Sequence, residues 1–144
     1  MRNLAGKILP LLLFFSVWFT GAAAVSAHTD QDILVKLNGQ VMNFSSPPII
    51  VQGTTLVPMR SLFEAQGAKV DWDASTRTVT AKKDEIELTY TIGEDFATTN
   101  SSKIHLHVPG QIQDGYTLVP LRMLSESLGN TVHWSQSTQT VSIF

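Results

Sequence analysis

Cysteine is absent from all 144 residues. That excludes disulfide staples, thiol chemistry, cysteine-based metal sites and lipid attachment through an N-terminal Cys, so any fold here is held by its core alone. Basic residues are also scarce. Arg2 and Lys7 are the only charged groups in residues 1–27; without them the ten Lys and Arg fall to eight against twelve Asp and Glu, a net charge of −4. A basic face for phosphate is lacking, which argues against a nucleic-acid partner. Catalytic signatures are missing too: there is no Gly-x-Ser-x-Gly elbow, no His-Glu-x-x-His and no phosphate loop. No catalytic residue and no cofactor is expected. The length suits one domain rather than two.

What is present begins with a tripartite N-terminus. Arg2 and Lys7 precede an apolar run from Ile8 to Phe19, and small residues follow up to Val25-Ser26-Ala27. This is the pattern of a secretory signal peptide, with cleavage expected after Ala27 and Ala24 as the alternative cut. A retained anchor would need about 20 apolar residues to span a bilayer. The expected organisation is a signal peptide at 1–27 and one exported domain at 28–144, touching membrane only through an uncleaved leader.

The strongest signal is an internal repeat. Gly53-Thr54-Thr55-Leu56-Val57-Pro58-Met59-Arg60 returns as Gly115-Tyr116-Thr117-Leu118-Val119-Pro120-Leu121-Arg122, an offset of 62. The same shift matches Leu62 with Leu124, Glu64 with Glu126, Gly67 with Gly129, Val70 with Val132 and Trp72 with Trp134. Carried backward, it pairs Pro47 with Pro109 and Ile50 with Ile112. Identity at one fixed shift over so many positions reads as duplication.

Each copy predicts a strand, a helix and a hairpin. Thr55-Leu56-Val57 is β-prone and runs into Pro58, expected at the first helical position, where its missing N–H has no partner to lose. The helix spans Met59 to Gln66 and closes at Gly67; the second opens at Pro120 and closes at Gly129. Helices this short are marginal alone and must lie on a sheet. Val70 with Trp72, and Val132 with Trp134, share strand faces. Asp73 to Thr76 and Ser135 to Thr138 are turn-formers leading to the returning strands. Upstream, Ile33, Val35 and Leu37 alternate into Asn38-Gly39, a preferred two-residue hairpin turn, with Val41 to Phe44 beyond it. Residues 85–90 alternate as a half-buried strand does. The fold class expected is α+β: mostly antiparallel sheet with two short helices on one face, built from two tandem repeats.

With those motifs in place, residues 33–144 resemble the copper amine oxidase N-terminal-like, or stalk, domain family. The likeness rests on Leu37-Asn38-Gly39, Thr55 to Arg60 with Glu64 and Gly67, Val70-Asp71-Trp72-Asp73, and Thr117 to Arg122 with Glu126, Gly129 and Trp134. The family usually has Arg after the Gly of each motif, where this chain has Thr54 and Tyr116, and Ser135 stands where the family's second Trp is followed by Asp. The resemblance implies an exported protein of a Gram-positive bacterium. It implies no oxidase activity, because in the oxidases copper and quinone belong to a separate, larger domain. Neither Tyr90 nor Tyr116 lies in the Asn-Tyr-Asp/Glu setting of the cofactor-forming tyrosine.

Candidate contacts follow. Trp72 and Trp134 are either core residues of the duplicated hairpins or stacking platforms for a ligand. Arg60 and Arg122 lie four residues before Glu64 and Glu126, so each pair forms a helix salt bridge or each Arg grips a carboxylate. His105 and His107, two apart on an expected strand, are the candidate metal ligands. The leading expectation is a secreted, non-catalytic binding or structural module of the cell envelope, contacting cell wall or another exported protein. The alternative is an extracellular copper- or zinc-handling protein using His105 and His107, with His28 or His133.

Overall fold

A computed structural model describes residues 32–100 and 102–144; the expected signal peptide at 1–27 and the candidate ligand His28 lie outside them. The described residues are α+β: thirteen strands, mostly antiparallel, with two short helices. Strands β1 (Leu34–Leu37), β2 (Gln40–Val41), β3 (Ile49–Val51) and β4 (Thr54–Pro58) precede helix α1 (Met59–Ala65). Strands β5 (Lys69–Asp73), β6 (Thr78–Lys83), β7 (Ile86–Thr91), β8 (Phe96–Thr99), β9 (Lys103–His105), β10 (Gln111–Gln113) and β11 (Tyr116–Pro120) follow. Helix α2 (Leu121–Ser127) then leads to β12 (Val132–Ser135) and β13 (Thr140–Ile143).

Turn chemistry sets the hairpins. Asn38 and Gly39 both adopt positive φ, 49° and 83°, and bring Leu37 opposite Gln40 as an Asn-Gly pair should. The expected strand to Phe44 ends at Val41; the Met42 amide still donates to the Val35 carbonyl (2.8 Å), and the side chains of Met42 and Phe44 pack against the core. Asp73 Oδ1 accepts hydrogen bonds from the Ser75 amide (2.9 Å) and hydroxyl (2.6 Å), which closes the β5–β6 turn.

The strands form three sheets rather than one: β12-β13-β1-β2, β10-β11-β4-β3 and β5-β6-β7-β8-β9. The helices cause the division, since each lifts the chain off one sheet before its hairpin begins. The two hairpins are then extended differently, β6 by antiparallel β7 and β13 by parallel β1.

In the middle sheet β4 and β11 run antiparallel, with Val57 opposite Val119, Leu56 opposite Pro120 and Pro58 opposite Leu118. Val57 and Val119, which are 62 residues apart, thus face one another at the centre of the pairing, and the flanking partners are related symmetrically about them. Pro58 and Pro120 close these strands rather than open the helices: their ψ values of 121° and 113° are extended, which their fixed φ permits.

Both helices lie over the Val57–Val119 face. Helix α1 buries Met59, Leu62 and Phe63, and α2 buries Leu121, Leu124 and Ser125. At about 1.5–3 kcal/mol for each large apolar side chain, this burial outweighs the poor intrinsic stability of two-turn helices. Gly67 and Gly129 end the helices in the left-handed conformation. Between the helices Gln66 Nε2 donates to Ser125 Oγ (2.7 Å), and Asn130 Nδ2 donates to Gln66 Oε1 (2.8 Å). A second, smaller cluster of Leu56, Val108 and Leu118, with Ile49 and Val51 against it, covers the opposite face of the middle sheet.

Candidate functional site

The antiparallel β4–β11 pairing has a spatial consequence. The turn that leads into β4 lies beside the first residues of α2, and the turn that leads into β11 lies beside the first residues of α1. Two surface grooves form at these junctions. The first, about 330 Å³, is lined by Arg60 and Trp72 together with Gly115, Tyr116 and Thr117. The second, about 500 Å³, is lined by Arg122 and Trp134 together with Gly53, Thr54 and Thr55. Pro58 in the first matches Pro120 in the second, and Ser45 matches His107, all at the spacing of 62. Each groove combines Arg and Trp from one segment with the turn of the other.

The four candidate contacts are therefore sorted into two pairs: Arg60 with Trp72, and Arg122 with Trp134. Both tryptophans are partly buried and pack against the main core while also lining a groove. Trp134 Nε1 donates to Gln136 Oε1 at 3.0 Å, which holds the indole edge at the groove wall.

Charge separates the two grooves. Arg60 Nη1 sits 3.0 Å from Glu64 Oε1, and Glu64 lines the same groove. Both side chains are about half exposed, so the pair is worth little to stability, yet it gives the arginine a resident carboxylate. The equivalent Arg122–Glu126 bridge, equally expected from the spacing, is not formed among the described residues: Arg122 lines its groove and Glu126 does not. Among the described residues no acid lines the second groove, which instead carries Ile50, Met123 and Val132.

Strand β9 stops at His105, and both candidate histidines are exposed, on either side of a buried residue. Nδ1 of His105 lies 3.9 Å from Asp95 Oδ2, both well exposed, whereas His107 lies past the strand end at the second groove, with Leu106 buried between them. Among the described residues no three His, Asp or Glu side chains are grouped as a metal would require. Also among them, no helix is long and apolar enough to cross a membrane.

The sequence pattern does not by itself single out Ser45, Ser61, Met123 or Gln139 as groove residues, and Ile50 enters it only as one half of a repeat pair. The offset that pairs Arg60 with Arg122 also pairs Ser45 with His107 and Ser61 with Met123, which is the signal that marks those positions.

The fold and its junctions define an α+β module that presents two related grooves, each with one arginine and one tryptophan. The chain belongs to the copper amine oxidase N-terminal domain family, whose model matches residues 36–143. The match is to the N-terminal domain of those oxidases. A curated protein named "Protease inhibitor" from Brevibacillus choshinensis is 26% identical over 130 residues, which is 90% of this chain and 40% of the relative. The chain thus spans well under half the length of that protein.

Proposed function

We propose that this chain is an exported, non-catalytic binding module of the cell envelope, built from two duplicated units offset by 62 residues, which engages cell wall or another exported protein through its two grooves. The observation that carries the reading is the paired Arg–Trp arrangement, one pair at each end of the β4–β11 junction. The symmetric register about Val57 and Val119 supports the duplication. Export rests on the tripartite N-terminus, and residues 28–144 are proposed as the mature domain. The match to an oxidase N-terminal domain supports a module without its own chemistry.

The name of the Brevibacillus relative favours the protein-partner arm. An exported protease is accordingly a specific candidate partner. An aromatic edge with an adjacent guanidinium suits stacking together with a carboxylate or amide contact, which serves either a wall polymer or a polypeptide.

The test is a co-sedimentation of residues 28–144 with peptidoglycan sacculi, run beside inhibition assays against a panel of secreted bacterial proteases. Trp72→Ala and Trp134→Ala variants of verified fold accompany both. Saturable binding or inhibition that falls in a folded variant supports the proposal. No binding and no inhibition in either assay would refute it.

A further inference from the structure

The second groove adjoins an open, wholly apolar strand edge. Strand β3 is the outermost strand of the middle sheet and, among the described residues, pairs with β4 alone. Its sequence is Ile49-Ile50-Val51, directly preceded by Pro47-Pro48, and every side chain in it is apolar and β-branched. A charge or a proline on an exposed edge guards against further pairing. Of the other outer strands, β5 carries Lys69, Asp71 and Asp73 and β9 carries Lys103, whereas β2 and β12 carry no Asp, Glu, Lys, Arg or Pro but do include polar side chains. The counterpart of β3, strand β10, offers Gln111-Ile112-Gln113.

Register places Ile50 opposite Thr55, on the same sheet face as Val57 but beyond the cover of the helices. Its side chain is 51% exposed and lines the groove that holds Arg122, Met123 and Trp134. An unpaired backbone edge, an apolar floor and an arginine without a carboxylate partner among the described residues thus occupy one surface.

We infer that the second groove receives an extended polypeptide segment that adds to β3 as an extra strand, places a β-branched or other apolar side chain against Ile50, Met123 and Trp134, and brings a carboxylate to Arg122. This deepens the protein-partner arm of the proposed function and rests on it. The backbone edge selects a polypeptide over a glycan, because only a polypeptide can continue a ladder of alternating N–H and C=O groups. Charge complementarity selects the carboxylate: Arg122 supplies a planar donor fork, no acid among the described residues lines the groove, and His107 adds a further donor. The first groove lacks this vacancy, since Glu64 already occupies Arg60. The carboxylate has two sources, an Asp or Glu side chain or the C-terminus of a chain.

The test titrates isotope-labelled residues 28–144, which hold every element of the fold, with three blocked or free pentapeptides followed by NMR. The probes are acetyl-Val-Thr-Val-Glu-Val-amide, acetyl-Val-Thr-Val-Thr-Val with a free C-terminus, and acetyl-Val-Thr-Val-Gln-Val-amide. Expected are shifts confined to β3, Arg122 and the Trp134 indole, slowed exchange of β3 amides, and affinity for one carboxylate probe at least about tenfold above the Gln probe. Which carboxylate probe binds distinguishes the two sources. Arg122→Gln should remove that preference, Ile50→Lys should weaken all three probes, and Lys69→Gln on the remote β5 edge should change nothing. Equal affinity for all three probes, shifts at another edge, or no binding would overturn the inference. So would self-association of the protein through β3 without peptide, which makes a second copy the occupant. Sacculus binding that persists in Arg122→Gln without any peptide binding would sink this inference and leave the envelope module standing. Peptide binding without sacculus binding or protease inhibition would do the reverse.

Discussion

Removing one hydroxyl should destabilise the whole domain. Tyr90 on β7 is only 1% exposed, and its Oη accepts a hydrogen bond from the Gly110 amide (2.6 Å) while donating to the Glu94 carbonyl (3.0 Å). Gly110 itself is buried, and a Cβ there would stand 2.8 Å from the Leu118 carbonyl oxygen and 3.0 Å from Tyr90 Cε1. The ring therefore ties the β5–β9 sheet to the start of β10, and no side chain can replace the contact. Tyr90→Phe keeps the packing but strands a buried N–H. One lost hydrogen bond plus an unsatisfied buried donor amounts to about 2–3 kcal/mol. For a domain of this size that corresponds to a fall in Tm of roughly 8–12 °C. Urea unfolding followed by tryptophan fluorescence, beside a thermal melt, measures it. A change below about 0.5 kcal/mol would refute the reasoning, because it would mean that water satisfies Gly110 as well as the phenol does.

The same residue makes an alkaline prediction. Burial raises the Tyr90 phenol above its ordinary 10.0, against the lowering effect of the Gly110 amide and with smaller raising effects from Glu94 and Asp95. A group whose folded value is raised contributes its full stability below the unfolded value and loses it as pH climbs through the folded one. Stability should thus decline above about pH 10, and Tyr90→Phe should flatten that decline.

Three further outcomes are expected. Gly67→Ala and Gly129→Ala each force a Cβ into positive φ, 83° and 87°, with no clash nearby, so both should cost about 1 kcal/mol in chemical denaturation. Ser125→Ala strands the amide of Gln66 between the helices and should cost about 1–2 kcal/mol, while adding Gln66→Leu should recover part of the loss; strictly additive single effects in a double-mutant cycle would count against the coupling. Hydrogen bonds from the Ser75 hydroxyl first, then its amide, hold the Asp73 carboxyl below its ordinary 3.8, so an NMR titration should find it low and Ser75→Ala should raise it; the contribution is present above the unfolded value and fades as pH falls.

Local chemistry was legible in the sequence wherever one or two neighbouring residues decide the conformation. Asn38-Gly39, the Asp73–Thr76 turn and the glycines at 67 and 129 act through their own backbone preferences, so the hairpins and helix ends stand where the residues place them. The same holds for the alternation that buries Leu88 and Tyr90. Pro58, expected at the first helical position, ends β4 instead, because its fixed φ suits a strand end equally well and ψ, which the ring does not fix, is set by the pairing with β11.

Contacts between distant segments required the tertiary structure. A repeat in sequence says that two units are alike, but not that β4 and β11 run antiparallel with Val57 opposite Val119, nor that β1 lies parallel to β13. Those pairings depend on which apolar faces can be buried together, a property of the whole chain. They also create the candidate site, because only the antiparallel junction brings the turn of one unit against the arginine and tryptophan of the other. Arg60 and Arg122 have the same sequence context, yet one holds a glutamate and the other faces an apolar groove, since a side chain's partner is chosen by the surface around it.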